Sequence, residues 1–399
     1  MRIPLVNLPE EHRPYQAELD RGIGRVVASG GYIGGEEVRA FEEELAAYLG
    51  LAPWSVISCG NGSDALLLAL AALELPRGGE VIIATHNYVA AAEAVCHLGL
   101  RPVWADVMPS LSSDGRVSFQ MNGSLDYLES LRTPRTVALI AVNMYGMPCP
   151  AVELAHFCKR HQIPWIEDNA QGMGGVGEIA SGTSGATAPL GTRATIGTTS
   201  FFPTKPLGCM GDGGAAFVPY DKQLAERLRQ LVNHGQRTRY QYERCGYNSR
   251  LDALQAAVLR VKLRHLEEAN QRRSLLADRY DELLADLPMV RRPWRSGDRP
   301  EALYLYTICV PSDKRDGLLD ELRTAGIDAR VYYPQMLHQI AAYNAGSSEA
   351  SCPVAEEIQK TMLSLPIAPT TFYLQVRDCL LYTSPSPRDV EESRMPSSA

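Results

Sequence analysis

WSVISCGNGSDALLLALAALELPRGGEVIIATHNYVAAAEAVCHLGLRPVWADV, residues 54–107, holds three short apolar runs separated by two helical patterns. The runs are WSVISC (54–59), EVIIA (80–84) and RPVWADV (101–107), and the helical patterns are SDALLLALAAL (63–73) and Ala90 to Leu98. Short apolar strands alternating with helices are the rhythm of βαβ units, which build a mostly parallel sheet with helices on both faces. The same rhythm runs downstream through TVALIAVN (136–143), a helix near Val152 to His161, IPWIED (163–168), TIGTTSFF (195–202) and GGAAFV (213–218). Upstream, GEEVRAFEEELAAYLG puts Val38, Phe41, Leu45 and Tyr48 on one helical face and stops at Gly50. The segment from Gly175 to Ala194, rich in Gly, Ser, Thr and Ala, reads as a surface loop.

The expected fold class is therefore α/β, with a large domain over residues 1–250. A long helical pattern from about Leu251 to Leu284 leads away from it, and YLYTICV, DGLLDELRTAGI and DARVYY read as a smaller α+β domain over residues 251–378. At Cys379 the text changes to CLLYTSPSPRDVEESRMPSSA. Reverse-translated, that run resembles a sequencing-library adapter read in frame. Residues 379–399 are expected to be an artefact tail, with the native chain continuing beyond Asp378; a natural disordered tail is the bland alternative.

With 399 residues, 45% hydrophobic and 21% charged, the chain is long enough for two domains around large cores. A net charge of -7 offers no footprint for nucleic acid or for an anionic membrane surface. The nine cysteines form neither a CxxC nor a Cys/His cluster, so neither a metal site nor a disulfide framework is expected, and a cytoplasmic location fits. No apolar run approaches the roughly 20 residues of a membrane span.

Four features fall at strand ends, where open α/β sheets collect ligands. In GNGSDALLLAL a strand meets Gly60-Asn61-Gly62 and a helix starts at Ser63, making its N-terminus a ready phosphate site. WIEDNAQ places Asp168 at the end of a buried strand and Gln171 three residues on. TTSFFPTKPLGCMGDGGA carries Ser200 and Lys205 in a segment with few other charges. THNYVAAAEAV puts Tyr88 after a strand, where its ring can stack. Singly, each has an ordinary reading: a capped helix, a turn aspartate, a solvated lysine, a core aromatic. The glycines at 208, 211, 213 and 214 precede a strand and open no helix, so a nicotinamide site is rejected. Together the four supply what pyridoxal phosphate requires: a phosphate seat, a carboxylate for the pyridine nitrogen, a desolvated amine and a stacking ring.

These residues resemble the DegT/StrS-type sugar aminotransferases, a branch of the fold type I pyridoxal-phosphate enzymes. The resemblance spans nearly all of residues 1–378 and rests on GGYIGGEEVRAFEEELAAYLG, GNGSDAL, GGEVIIATHNYVAAAEAV, IEDNAQGMGG, GTTSFFPTKPLGCMGDGGA, NHGQRTRYQYERCGYNSRLDALQAAVLRVKL and VYYPQMLH. It implies Lys205 as the Schiff-base lysine and Asp168 as the partner of the pyridine nitrogen. It further implies Gln171 near the phenolic oxygen, Tyr88 on the ring, and Gly62, Ser63 and Ser200 around the phosphate. Asn248 in GYNSRLD is similar to the asparagine that family members lend to the neighbouring subunit's phosphate, which implies a homodimer with shared sites.

Within the family, TTSFF, HGQ and NSRLDALQAA are most similar to enzymes aminating C3 of a UDP-linked 2-acetamido-2-deoxy-3-keto hexuronic acid, with C3 enzymes on TDP-sugars close behind. Two departures stand out: Pro206 where the family usually has Asn, and His86-Asn87 before Tyr88. The implied partners are glutamate as amino donor and a nucleotide-linked keto sugar, and Arg237, Arg239, Tyr333 and His338 are candidates to bind them. The competing expectations are a pyridoxamine-dependent sugar dehydratase, whose members carry histidine in place of Lys205, and a non-catalytic cofactor-binding regulator.

Overall fold

The computed structural model describes residues 2–108, 115–180, 183, 185–297, 299–344 and 350–371; the adapter-like tail lies outside them. Helices α1 (Leu8–His12), α2 (Gln16–Ser29) and α3 (Gly35–Tyr48) open the chain. Then come β1 (Val56–Cys59), α4 (Gly62–Ala72), β2 (Glu80–Ala84), α5 (Ala90–His97), β3 (Arg101–Ala105), α6 (Leu125–Leu131), β4 (Thr136–Val142), α7 (Ala151–His161) and β5 (Trp165–Asp168). Next are β6 (Val176–Glu178), β7 (Thr187–Pro189), β8 (Ile196–Ser200), β9 (Gly214–Phe217), α8 (Lys222–Leu231), β10 (Gln236–Thr238) and β11 (Gln241–Tyr242). Helices α9 (Ala253–Arg264) and α10 (Leu266–Leu283) lead to β12 (Tyr306–Cys309), α11 (Ser312–Thr324), α12 (Pro353–Thr361) and β13 (Met362–Leu365).

Seven strands form one sheet in the order β1-β9-β8-β5-β4-β2-β3. Pairings β2 with β3, β2 with β4, β4 with β5 and β5 with β8 are parallel. Strand β9 alone runs against both neighbours, β1 and β8. The direction of GGAAFV was not readable from its apolar content, because both kinds of buried strand look alike in composition.

Period-two alternation divides the sheet's side chains between two cores. Val81, Ile83, Ala138 and Ile140 pack with α4, α5 and α8, whereas Ile82, Ala84, Leu139 and Ala141 pack with α7. Both faces are therefore dry, which is why these strands read as continuous apolar runs. On α3, Phe41 and Leu45 are fully buried and Tyr48 lies at the rim, in keeping with the face read from the sequence.

A smaller unit closes over one end of the sheet. Its core joins Ala277 and Tyr280 of α10, Tyr306 and Ile308 of β12, Leu319 and Leu322 of α11, and Leu363 and Leu365 of β13. The helical pattern over 251–284 is two helices, not one, with the break at His265. DARVYY forms no strand and contributes only a bridge from Arg330 to Ser364.

The expected surface loop 175–194 is also corrected. Strands β6 and β7 pair as a hairpin within it, and Leu190 to Arg193 are buried. Arg193 donates to Glu167 through Nε at 2.9 Å and Nη2 at 2.6 Å, and its Nη2 also reaches Asn143 Oδ1 at 3.0 Å. A charge in a segment that looked like surface is half of a fully buried ion pair with the central strand β5. Glu167→Ala strands the guanidinium there, and thermal melts should show a loss of about 3–5 kcal/mol.

Candidate active site

The four strand-end features gather along one edge, because β1, β2, β5 and β8 all point their carboxyl ends that way. After Cys59 the chain turns through Gly60 and Asn61 into α4, one residue earlier than the Ser63 start read from the sequence. Asn61 Oδ1 caps the helix by accepting from the Asp64 N–H at 2.8 Å. A helix N-terminus keeps its first N–H groups free of intrahelical partners, so Gly62 and Ser63 present a donor-rich turn. A Cβ on Gly62 would lie 2.5 Å from Ser200 Cβ, so only glycine lets α4 abut the end of β8.

Asp168 ends β5 at 5% exposure. Its Oδ1 accepts from the Ala170 N–H at 3.1 Å. Burial pushes its carboxyl up to about 6, while the Ala170 hydrogen bond and the charge of Lys205 pull the other way. Lys205 sits on the loop between β8 and β9, partly buried, with its Nζ 4.5 Å from the centre of the Tyr304 ring. Burial lowers the amine to about 8, and Asp168 opposes that shift. The two groups thus feel each other directly, a carboxylate at one strand end and an amine at the next.

Gln171 is buried, with Oε1 accepting from the Tyr145 N–H at 2.8 Å and Nε2 donating to Tyr333 Oη at 3.3 Å. The ring of Tyr88, 53% exposed, lies 5.9 Å from that of Tyr333. Asn87 Nδ2 and Thr198 Oγ1 are buried with no hydrogen-bond partner among the described residues. Thr198 pairs in register with Asp168. Polar atoms left so are the kind that a bound polar group satisfies. A lowered amine, a raised carboxylate, a glycine cradle at a helix N-terminus and these orphaned atoms fit pyridoxal phosphate.

Residues 15–378 match the DegT/DnrJ/EryC1/StrS aminotransferase family. The chain belongs to that family. It is similar to the dTDP-3-amino-3,4,6-trideoxy-alpha-D-glucose transaminase of Streptomyces venezuelae, at 40% identity over 92% of each chain. It is 36% identical to the UDP-2-acetamido-2-deoxy-3-oxo-D-glucuronate aminotransferase of Pseudomonas aeruginosa, over 92% of this chain and 95% of the relative. A crystal structure of a DegT DnrJ EryC1 StrS aminotransferase from Brucella abortus superposes with a TM-score of 0.86 at 34% identity, over 95% of this chain and 98% of the other. The architecture is the fold type I aminotransferase fold.

Not every candidate of this family member sits in the cleft. Asn248 is exposed, its Oδ1 accepting from Arg250 Nη2 at 2.6 Å. The adjacent Ser249 hydroxyl donates to Asp64 Oδ2 at 2.6 Å and accepts from the Gly60 N–H at 3.1 Å, which fixes the segment against the start of α4. Arg237 and Arg239 lie on the exposed hairpin β10–β11, in a surface groove that includes His234, Tyr242 and Arg250 but not Lys205 or Asp168. Within one chain they are not brought to the cleft. His338 is a correction: buried at 9% exposure, it uses both ring nitrogens within the protein. Nδ1 lies 2.6 Å from Thr85 Oγ1 and Nε2 lies 3.0 Å from Glu356 Oε1, which pins the smaller unit to the end of β2. It has no nitrogen left for a substrate.

Three residues at the site were given no role in the sequence reading, although His86 was noted there as a departure from the family pattern. His86 is buried and held down to about 4, first by burial, with Nε2 3.1 Å from Tyr145 Oη. Tyr145 adopts φ 59 and is followed by Gly146 at φ 91, where a Cβ would overlap the Ala302 carbonyl. The turn signal Tyr-Gly after β4 was visible, but not where it pointed. Tyr304 gave no signal, since YLYTICV reads as an ordinary strand.

Proposed function

We propose that this aminotransferase uses pyridoxal phosphate to move an amino group from glutamate to C3 of a nucleotide-linked keto sugar. The observation that carries the reading is that the Lys205 amine, on the loop after β8, and the Asp168 carboxylate, at the end of neighbouring β5, bear on each other's charge, with Gly62 packed against Ser200 at the end of β8. When bound, the cofactor supplies an electron sink for the carbon that loses its proton. The residues named here do the rest. Lys205 would hold the cofactor covalently, Asp168 would keep the proton on its pyridine nitrogen, and Gln171 would serve its phenolic oxygen. Tyr88 would cover the ring, while Gly62, Ser63 and Ser200 would seat the phosphate.

Once the amino donor has displaced it from the cofactor, Lys205 Nζ would be the group that accepts the proton from the donor's α-carbon and gives it back, and it would serve the sugar in the same way in reverse. With an amine pulled to about 8, about one molecule in ten carries it neutral at pH 7, against about one in three thousand for an ordinary lysine. Burial thus provides the free base that the chemistry consumes.

A homodimer suits the exposed groups. Asn248, Arg237 and Arg239 are exposed, the arginines in a groove apart from Lys205 and Asp168, and a second copy would bring them to its cleft, the arginines toward a diphosphate. Tyr333 beside Tyr88 is positioned for the sugar. A cytoplasmic setting belongs to the same reading and rests on the nine scattered cysteines, which form neither a CxxC nor a Cys/His cluster in the sequence. No described helix is long and apolar enough to cross a membrane.

Identity is higher to the dTDP-sugar relative than to the UDP-hexuronate one, 40% against 36%, and so does not favour the hexuronate expected from the sequence. The test is a half-reaction. Glutamate should bleach the visible cofactor band, and a panel of dTDP- and UDP-linked 3-keto sugars should restore it. A chain that binds cofactor but shows no bleaching is a binder, not a transaminase. The seat has its own test: Gly62→Ala forces α4 away from Ser200 and should weaken cofactor binding to the apoenzyme about tenfold or more, by fluorescence titration. Adding Ser200→Gly, which removes the clashing atom, should recover part of it.

A further inference from the structure

Lys205 meets Tyr304 across the seam between the loop after β8 and the segment entering β12. The amine stands 4.5 Å from the ring centre, within range of the ring's negative face. Tyr304 is held in place on both sides of that contact. Its Oη lies 3.1 Å from Thr204 Oγ1, on the residue before the lysine, and its N–H donates to the Tyr145 carbonyl at 2.9 Å. Tyr145 in turn holds Gln171. The ring is therefore fixed by the same strand-end loops that carry the rest of the site.

We propose that Tyr304 is a positioning residue for Lys205: its ring is the resting surface of the amine whenever that amine is not bonded to the cofactor. This rests on the reading of Lys205 as the covalent, proton-carrying lysine. A lysine side chain released from a covalent bond regains several rotamers, and each excursion takes the nitrogen from the carbons it must serve. A flat face that attracts the ammonium form shortens those excursions without tying up a lone pair of the neutral form. The Thr204 hydroxyl orients the face, so lysine and support move as one unit.

The test begins with the full chain stripped of cofactor. Acylation of Lys205 by acetic anhydride, followed by peptide mass spectrometry across pH, gives a midpoint for the amine without any turnover. Tyr304→Leu removes the cation-attracting face but keeps the surroundings apolar, and the midpoint should fall by roughly half a unit to one unit. In the reloaded enzyme, kcat of the glutamate half-reaction should drop about tenfold with KM little changed. Tyr304→Phe keeps the face, and its midpoint should match the parent while its half-reaction stays within about threefold.

An unchanged midpoint and kcat in Tyr304→Leu overturn the proposal. So does a phenylalanine variant as impaired as the leucine one, since the hydroxyl would then be the active element. A change confined to KM overturns it as well. If Tyr304→Leu does not fold by circular dichroism, Tyr304→Met is read in the same way. Failure of the underlying reading is separately visible: Lys205→Ala would keep transaminating, while the acylation midpoints would still report on the contact between ring and amine.

Discussion

Lys205→Ala should abolish borohydride fixation of the cofactor and slow the glutamate half-reaction by roughly a thousand-fold or more. Two losses combine in that one change: the covalent anchor and the base that carries the proton. They can be told apart. A small primary amine added to the medium replaces the base but not the anchor, so it should restore part of the half-reaction without restoring fixation. Lys205→Arg should fail in both respects, because a guanidinium stays charged and neither attacks nor accepts. Survival of fixation in Lys205→Ala would move the cofactor to another lysine and undo the proposed site.

The second large effect belongs to Asp168→Asn, and its sign differs between two measurements. The Asp168 carboxylate raises the Lys205 amine against the larger, lowering effect of burial, and the balance stands at about 8. Removing that charge lets the amine fall further, so more of it is neutral at pH 7. Covalent capture of cofactor by the apoenzyme, which in the parent rises with pH through about 8, should begin at lower pH and be no slower at neutrality. Transamination should nonetheless fall about a hundred-fold or more, because nothing then holds the proton on the pyridine nitrogen. Capture and turnover come apart in this variant, whereas in Lys205→Ala they fall together. If both stay at parental rates, Asp168 has only a structural role.

Most of the sheet was legible because its strands are buried on both faces. EVIIA became β2 without a residue's change, and β4 and β5 were misplaced only at their ends. The motifs at the strand ends were legible for a related reason: glycines, a lone lysine and a lone aspartate stand out against apolar text. What escaped depended on contacts between distant segments. Arg193 reads as surface until Glu167 is seen beside it, and His338 reads as a free imidazole until Thr85 and Glu356 close on its two nitrogens. The reversal of β9 and the place of Tyr304 are likewise matters of topology, which no local pattern encodes.

That reversal has a further consequence for the lysine. Because β9 returns antiparallel beside β8, the loop from Phe201 to Gly213 leaves and re-enters the sheet at adjoining points, with the Phe201 N–H on the Gly213 carbonyl at 2.7 Å. The Cys209 N–H closes a smaller ring inside it on the Phe201 carbonyl at 2.8 Å. The nucleophile therefore rides on a doubly stitched bight of chain whose loop-closure entropy is settled when the sheet forms, before any ligand arrives. Cofactor binding then has little disorder to remove from that segment. Proteases should find few cutting sites there even in the apoenzyme, and the catalytic loop should lose its protection from hydrogen exchange only when the sheet itself opens.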